Sequence, residues 1–386
     1  MAPARARDAE GTGNDNTLLD LHCDRRLRCQ AGSMPRLSVL ALALVAAFMP
    51  ACAKDAPNPF ADQTRTALPP PNTDVAFTAN GWAPEAGAGR ELFAVSLDGS
   101  GLTRLTFCND AQRPCDIVQA AFSPERGRMA ALRRFSADEP AALVYFDLSR
   151  STSLELVPAS GRVSGVDWSP AFDVLAYSGA GQGGVDDLFR TDVARPTPDN
   201  QQNTADLTSC VLNDTPIAAC DPTIAESHPR INRTGEVAVF ERIPAGGKGE
   251  IFLFNSPTSQ VRVAPAGPGT DPLPGSPYIV GADADPAFSP DGQSVVFRRL
   301  TAPGTAGVGN WDILTIGLDG TGLQVLASGA AFRGAPDWGS RGIVFPEIDP
   351  LTGQPSLVSI QPDGSGRRAV LTLGAGYVLS NPRWLR

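Results

Sequence analysis

One unit of sequence recurs about six times between residues 74 and 386, at intervals of about 45 to 65 residues. In its clearest copy, residues 285–297 read DPAFSPDGQSVVF and residues 312–326 read DILTIGLDGTGLQVL. Short runs of alternating apolar residues are separated here by Ser-Pro-Asp-Gly and Asp-Gly sequences, which are typical of tight turns. Each unit is therefore predicted to form three or four short antiparallel strands.

The aligned copies share a large apolar residue at the end of their first strand. These residues are Phe122, Trp168, Ile231, Phe288, Trp338 and Trp384. The last copy stops after this first strand, whereas the first copy begins with a second strand at Val75, so each end lacks what the other has. We therefore predict an all-β fold, a six-bladed β-propeller of four-stranded blades, in which the C-terminal strand joins the N-terminal blade and closes the ring.

The Pro-x-Phe-Ser-Pro-Asp-Gly sequence of residues 286–292 and the Leu-Asp-Gly-Ser-Gly turn of residues 97–101 resemble the repeats of TolB-like, or WD40-like, propeller proteins. The resemblance covers residues 74–386 and implies the fold and export from the cytoplasm. TolB itself has an α/β domain ahead of its propeller, and this chain has only residues 52–73 in that place. The resemblance is thus to a TolB-like propeller and not to TolB itself.

The N-terminal part is predicted to direct export. Residues 37–48 form an apolar run that suits the core of a signal peptide, and we interpret Met34 as the true start of translation. We interpret residues 1–33 as a doubtful leader or over-extended start, 34–51 as the signal peptide, 52–73 as a disordered tether and 74–386 as the propeller. Residues 49–52 resemble a lipobox, which implies lipidation of Cys52 and a periplasmic or cell-surface protein anchored to the outer membrane. Alternatively, residues 51–53 form an ordinary A-x-A cleavage site.

Four cysteines in the repeat region form two local pairs. Cys108 and Cys115 flank one loop-like stretch, and Cys210 and Cys220 flank another. In an exported protein this even count at close spacing predicts disulfides, while unpaired or metal-binding thiols are the alternative.

Composition argues against several classes of partner. The net charge is −9, and after residue 51 the chain has only two Lys, with Arg scattered among acids, so we expect no nucleic-acid binding. Membrane contact is expected only through the lipid anchor, and a monomer without cofactor or metal is predicted.

Few residues suit catalysis, and no catalytic residue is predicted. Only His228 of the two histidines lies in the repeat region, where a structural or surface position is expected, and no Gly-x-Ser-x-Gly sequence occurs. A carbohydrate-active enzyme, a glycoside hydrolase or lyase with acidic residues at the propeller channel, remains the alternative. The acids noted for that role are Glu85, Asp138, Glu139, Asp186, Asp187 and Glu347.

The longer loops gather on one face of the predicted propeller. They join second to third strands and each blade to the next, and include residues 80–90, 179–186, 244–249, 300–311 and 346–355. Candidate binding residues in these loops are Trp82, Glu85, Arg90, Asp186, Lys248, Trp311 and Glu347. The resulting hypothesis is a non-enzymatic scaffold that binds an envelope protein or a cell-wall component through this face.

Overall fold

A computed structural model describes most of the repeat region. The described residues are 64–80, 89–108, 116–135, 138–181, 185–198, 200–209, 211–212, 215–216, 221, 223–244, 247–256, 259–271, 273, 278–304 and 308–385. Cys52, Trp82, Glu85, Cys115, Cys210 and Cys220 lie outside them, and Cys108 ends a short strand. Among the described residues no helix is long and apolar enough to cross a membrane.

The strands form six antiparallel blades, numbered here along the chain, as predicted. Blade 1 consists of Leu379–Trp384, Val75–Ala79, Glu91–Val95 and Thr103–Arg104, and blade 2 of Asp116–Phe122, Arg128–Arg134, Ala142–Asp147 and Thr152–Val157. Blade 3 consists of Gly165–Trp168, Val174–Ala180, Asp186–Asp192 and Thr204–Asp206, and blade 4 of Ala225–Ile231, Ala238–Ile243, Glu250–Ser256 and Ser259–Arg262. Blade 5 consists of Asp283–Phe288, Ser294–Ala302, Asn310–Gly317 and Gln324–Ala327.

Blade 6 has a divided first strand. Phe332–Arg333 and Asp337–Gly339 both pair with Gly342–Ile348, which is followed by Pro355–Ile360 and Arg368–Thr372. Two small ribbons lie outside the blades, Thr64–Thr66 with Thr106–Cys108 and Val211–Leu212 with Thr215–Pro216. Ala159–Gly161 and Gln201–Asn203 form single 3₁₀ turns.

The C-terminal strand closes the ring, which confirms the prediction from the complementary ends. Val75 lies opposite Trp384 and Thr78 opposite Ser380, and the hydroxyls of the second pair are 2.9 Å apart. Beyond this strand, the Leu385 N–H donates to the Asp74 carbonyl at 2.8 Å. Blade 1 therefore has no unpaired inner edge.

The innermost strand of each blade is its first, and the six first strands contact one another in cyclic order. Apolar side chains fill the space between each blade and the next. Phe77 of blade 1 packs with Val344 and Leu357 of blade 6, and Trp338 of blade 6 packs with Val296 of blade 5. Because every blade buries apolar surface against two neighbours, the hydrophobic effect stabilises the ring as a whole.

Asp-Gly turns join third to fourth strands in blades 1, 5 and 6. The carboxylates of Asp98, Asp319 and Asp363 accept hydrogen bonds from the N–H two residues later, at 2.8 to 3.0 Å. The glycines that follow these residues have φ near +80°, a conformation that costs glycine little. The turn interpretation of these sequences is therefore confirmed.

Several strands extend further than the sequence suggested. Asp186, Trp311 and Glu347 were placed in loops but lie in strands, because their hairpins continue pairing toward the turn. In blade 5 only residues 303–309 remain between the second and third strands. Part of the predicted tether is also ordered, since Thr64–Thr66 pairs with Thr106–Cys108 and Thr73 is buried.

Candidate functional site: the axial channel

Three first strands carry a bulge at an x-Pro pair close to the propeller axis. His228, Asp285 and Asn381 precede Pro229, Pro286 and Pro382 and have φ of 50°, 51° and 49°. The pairing register shifts at each of these points. Because left-handed backbone is costly for a residue other than glycine, and proline further restricts its predecessor, the fold holds three polar residues at the axis against local strain.

His228 lies between two carboxylates from different strands. Its Nδ1 is 3.0 Å from Glu241 Oε2 and its Nε2 is 3.5 Å from Asp285 Oδ1. The Glu241 side chain is fully buried, whereas that of His228 is 32% exposed. Burial alone would lower the pKa of His228, but the charges of Asp285 and Glu241 outweigh it and the pKa is raised.

Asp285 is held in its ionised form by Arg298 on one side and His228 on the other. Arg298 Nε donates to Asp285 Oδ2 at 2.5 Å, and the Arg298 guanidinium lies 4.0 Å from the centre of a Trp311 ring. Burial would raise the pKa of Asp285, but Arg298 and His228 lower it to about 2. Trp311 is 1% exposed, so it supports Arg298 from inside and does not present a surface to a partner.

A second layer of the channel is crossed by Arg230. This guanidinium binds Asp167 of blade 3 at 3.1 Å and Asp337 of blade 6 on the other side, and its Nε donates to the Pro286 carbonyl. Asp167 and Asp337 also accept the N–H of the end residue of the next blade, Ile231 and Trp384, at 3.1 and 2.7 Å. The network thus joins blades 3, 4, 5, 6 and 1.

Arg383 occupies the equivalent position in blade 1 but lacks an equivalent partner. It is 7% exposed, and among the described residues its Nε has no hydrogen-bond acceptor and its guanidinium no ion pair. Burial and the charge of Arg230 lower the pKa of Arg383 to about 10, against the opposing effect of Asp337 and Asp167. The channel therefore holds one buried cation without direct neutralisation.

These groups surround a narrow polar cavity on the axis. Its volume of about 10 Å³ is the room that one water molecule needs. Its lining consists of Gln119, His228, Arg230, Asp285, Pro286, Ala335, Pro336, Asn381 and Arg383. The waist of the channel is therefore too narrow for a sugar ring.

The channel widens on the face that carries the tight turns between first and second strands, called here the turn face. A pocket of about 400 Å³ opens there, and its wall includes Ile231, Phe288, Trp338 and Trp384, which lie at or next to the ends of four first strands. Pro124, Pro170 and Pro290 of the following turns complete the rim. This size and apolar character suit a small ligand or the apolar side chains of a protein.

The opposite face, called here the loop face, carries the described candidate residues, and the charged ones among them already have partners. Arg90 binds Asp116 at 2.7 Å, and Lys248 donates to the Gly267 carbonyl at 2.7 Å. Asp186 accepts from Ser164, and Glu347 binds both Arg333 and Arg367.

The acids noted for an enzyme do not gather at the axis. Asp138, Glu139, Asp186, Asp187 and Glu347 are absent from the lining of the cavity, although they are described. The carboxylates that do lie around the channel are Asp167, Asp285, Asp337 and Glu241, and each contacts an arginine or His228.

Solved structures share this architecture. TolB from Acinetobacter baumannii matches with a TM-score of 0.58 at 15% identity, over 81% of this chain and 66% of that one. The fold is a TolB-like β-propeller. A putative TolB from Agrobacterium tumefaciens matches at a TM-score of 0.49 and 12% identity, over 81% of this chain and 98% of that one. Hydrazine synthase from Kuenenia stuttgartiensis matches at 0.55 and 10% identity, over 82% of this chain and 47% of that one.

At these identities the likeness extends to the fold alone. The chain spans about two thirds of the Acinetobacter TolB, and the same fold occurs in an enzyme, so the function must be argued from the site. No protein-family model and no curated protein matches the sequence.

Sequence reasoning on this TolB-like propeller missed the residues around the channel. The end residues Ile231, Phe288, Trp338 and Trp384 were used only to align the repeat, although they also line the turn-face pocket. Arg230 and Arg383 directly precede two of them, where other copies have Ala or Asp. The signal that could have revealed the channel residues is that this position, directly before the aligned apolar residue, is Ala, Asp or Arg in different copies.

Proposed function

We propose that this chain is a non-enzymatic binding protein of the cell envelope that receives apolar side chains of a protein partner in the turn-face pocket. The open apolar pocket of about 400 Å³ carries this proposal, since it is lined by residues of rigid strands and prolines. Phe172, in a turn on the same face, is 53% exposed and adds apolar surface to that face. A preformed site loses little conformational entropy when a partner binds.

The channel supports binding better than catalysis. Its carboxylates are held in ion pairs and its waist has room for one water molecule, so no pair of acids can flank a glycosidic bond there. The enzyme hypothesis would need a different site.

Blocking the pocket tests the proposal. Ser340 is exposed and lines the pocket, so Ser340→Trp should fill its mouth without removing any core contact. Gln293→Trp is the matched control, because Gln293 is exposed in the equivalent turn of blade 5 and does not line the pocket. The measurement is partner recovery by the purified chain from solubilised envelopes.

Recovery with the wild type and Gln293→Trp, together with loss in Ser340→Trp, is expected. Equal recovery with all three proteins would overturn the turn-face site. The loop face stays a prediction with its own test, deletion of residues 303–309, which should abolish recovery only if the partner binds on that side.

Export and lipid anchoring by Cys52 also remain proposals, supported by the apolar run and the lipobox-like residues. Labelling with a fatty-acid probe should mark the wild type and not Cys52→Ala. A labelled Cys52→Ala protein, or an unlabelled wild type in the soluble fraction, would contradict the anchor.

A further inference from the structure

The axial cavity has donors that its own residues leave unused. Arg383 contributes an Nε–H without an acceptor among the described residues, although the residue is more than nine-tenths buried. Gln119 and Asn381 line the same cavity, and each amide donates one hydrogen bond, to the Val166 and Val118 carbonyls at 2.8 Å. A carboxamide nitrogen carries two hydrogens, so each keeps a second N–H.

The acidic groups near this cavity do not supply the missing acceptor. Asp285 already binds Arg298 and faces His228, and Asp167 and Asp337 are engaged by Arg230 and by backbone N–H groups. A buried guanidinium without an anion is costly, because burial in a medium of low dielectric constant disfavours an unpaired charge.

We propose that the axial cavity of this propeller binds a small anion, of the size of chloride or a single carboxylate group, on Arg383 with Gln119 and Asn381. The volume of about 10 Å³ sets the size limit. The charge is set by the Arg383 guanidinium, whose Nη1 donates to the Pro382 carbonyl at 3.3 Å but whose Nε has no acceptor among the described residues. The ligand is a small free anion, either an inorganic ion such as chloride or a carboxylate no larger than formate. This site is separate from the turn-face pocket and does not depend on its function.

The test measures the melting temperature of the chain at constant ionic strength while gluconate is replaced by chloride or by formate. Gluconate is too large for the cavity, so a saturable rise in melting temperature reports an anion that binds the folded state. A rise in melting temperature with chloride indicates an inorganic ion, and a rise with formate indicates a carboxylate. Either rise supports the site if Arg383 is required for it.

Arg383→Gln should weaken the anion affinity about tenfold or more, because it removes a charge-assisted hydrogen bond. Arg133→Gln is the matched control. Arg133 is also buried, with Nε and Nη1 lacking acceptors among the described residues, but it lies on the second strand of blade 2 and does not line the cavity. Its variant should keep the wild-type anion response.

No saturable response in the wild type, or an equal response in Arg383→Gln, would overturn the proposal. If Arg383→Gln does not fold, the wild type decides through a size series of formate, propionate and benzoate. Loss of response with increasing size supports a site of this volume, and equal responses to all three overturn it.

Discussion

Arg230 is the side chain that ties the most blades together at the axis. Its side chain is 5% exposed, and it forms ion pairs with Asp167 and Asp337. These two carboxylates are 63 and 107 residues away in sequence and lie on different blades. Arg230→Met would leave two carboxylates buried without their cation, so a loss of about 3–5 kcal/mol in the free energy of unfolding is expected. Urea denaturation followed by fluorescence measures it.

Arg150→Met is the control for this prediction. Arg150 binds Asp147 at 3.2 Å, but its side chain is 79% exposed, and exposed ion pairs contribute about 0–1 kcal/mol. Similar losses in the two variants would show that the axial network does not stabilise the ring.

His228 makes the stability of the fold depend on pH. The charged groups around it are Glu241, Asp285 and Arg298, and Arg383 lines the same cavity. The two carboxylates prevail and raise the pKa of His228 above its usual value of 6.5. The protonated form is thus favoured in the folded state. Its contribution is fully present below about pH 6.5 and is lost as the pH rises through the higher folded pKa.

His228→Asn should remove this dependence, because Asn tolerates positive φ but does not titrate. The melting temperature of the wild type relative to His228→Asn should therefore fall as the pH rises above about 6.5 and through the raised pKa of His228. Asp283, whose pKa burial raises to about 6 despite Arg299, titrates in both proteins and cancels in the comparison. A constant difference across this range would contradict the raised pKa.

At the scale of elements, the closing strand is the feature on which the ring depends. Thr78 and Ser380 lie directly opposite each other with their hydroxyls 2.9 Å apart, so Thr78→Cys with Ser380→Cys should form a disulfide. Its long loop should raise stability by up to about 5 kcal/mol. Thiol titration and the melting temperature under oxidising and reducing conditions measure this.

Thr78→Cys with Ser359→Cys provides the mismatched control, since Ser359 lies in blade 6 and pairs with Val344 and Arg368. This pair should remain reduced. Free thiols in the Thr78 and Ser380 double variant would instead show that the C-terminal strand does not pair as described.

The strands themselves could be predicted because their signal is local. Alternation in residues 294–297 and the turn at Pro290 to Gly292 are contained in one short stretch, and the structure places a hairpin there. The ends of the hairpins were harder to predict from the sequence. Proline is typical of loops, yet Pro346 and Pro355 lie in paired strands. Hydrogen bonds to the neighbouring strand outweigh local preference there.

At the scale of the whole molecule, the closed ring could be predicted from the sequence, but the side-chain contacts along its axis could not. The partners of Arg230 come from other blades, so no single repeat shows the contact, and His228 was expected in a structural or surface position. A position that is Asp in two copies and Arg in two others has complementary charges, but only closure of the ring brings them together.

The closed ring also predicts that the chain is a monomer. Edge strands promote pairing between molecules, and the outer strands of the blades run from two residues in Thr103–Arg104 of blade 1 to six in Thr152–Val157 of blade 2. Val261 and Val325 are about half exposed on the outer strands of blades 4 and 5, but isolated exposed residues are common on monomers. Light scattering during size-exclusion chromatography should give the mass of one chain at all concentrations. A mass that rises with concentration would contradict this, and Val261→Lys and Val325→Lys would then identify the pairing edge, because lysine at an edge opposes strand addition.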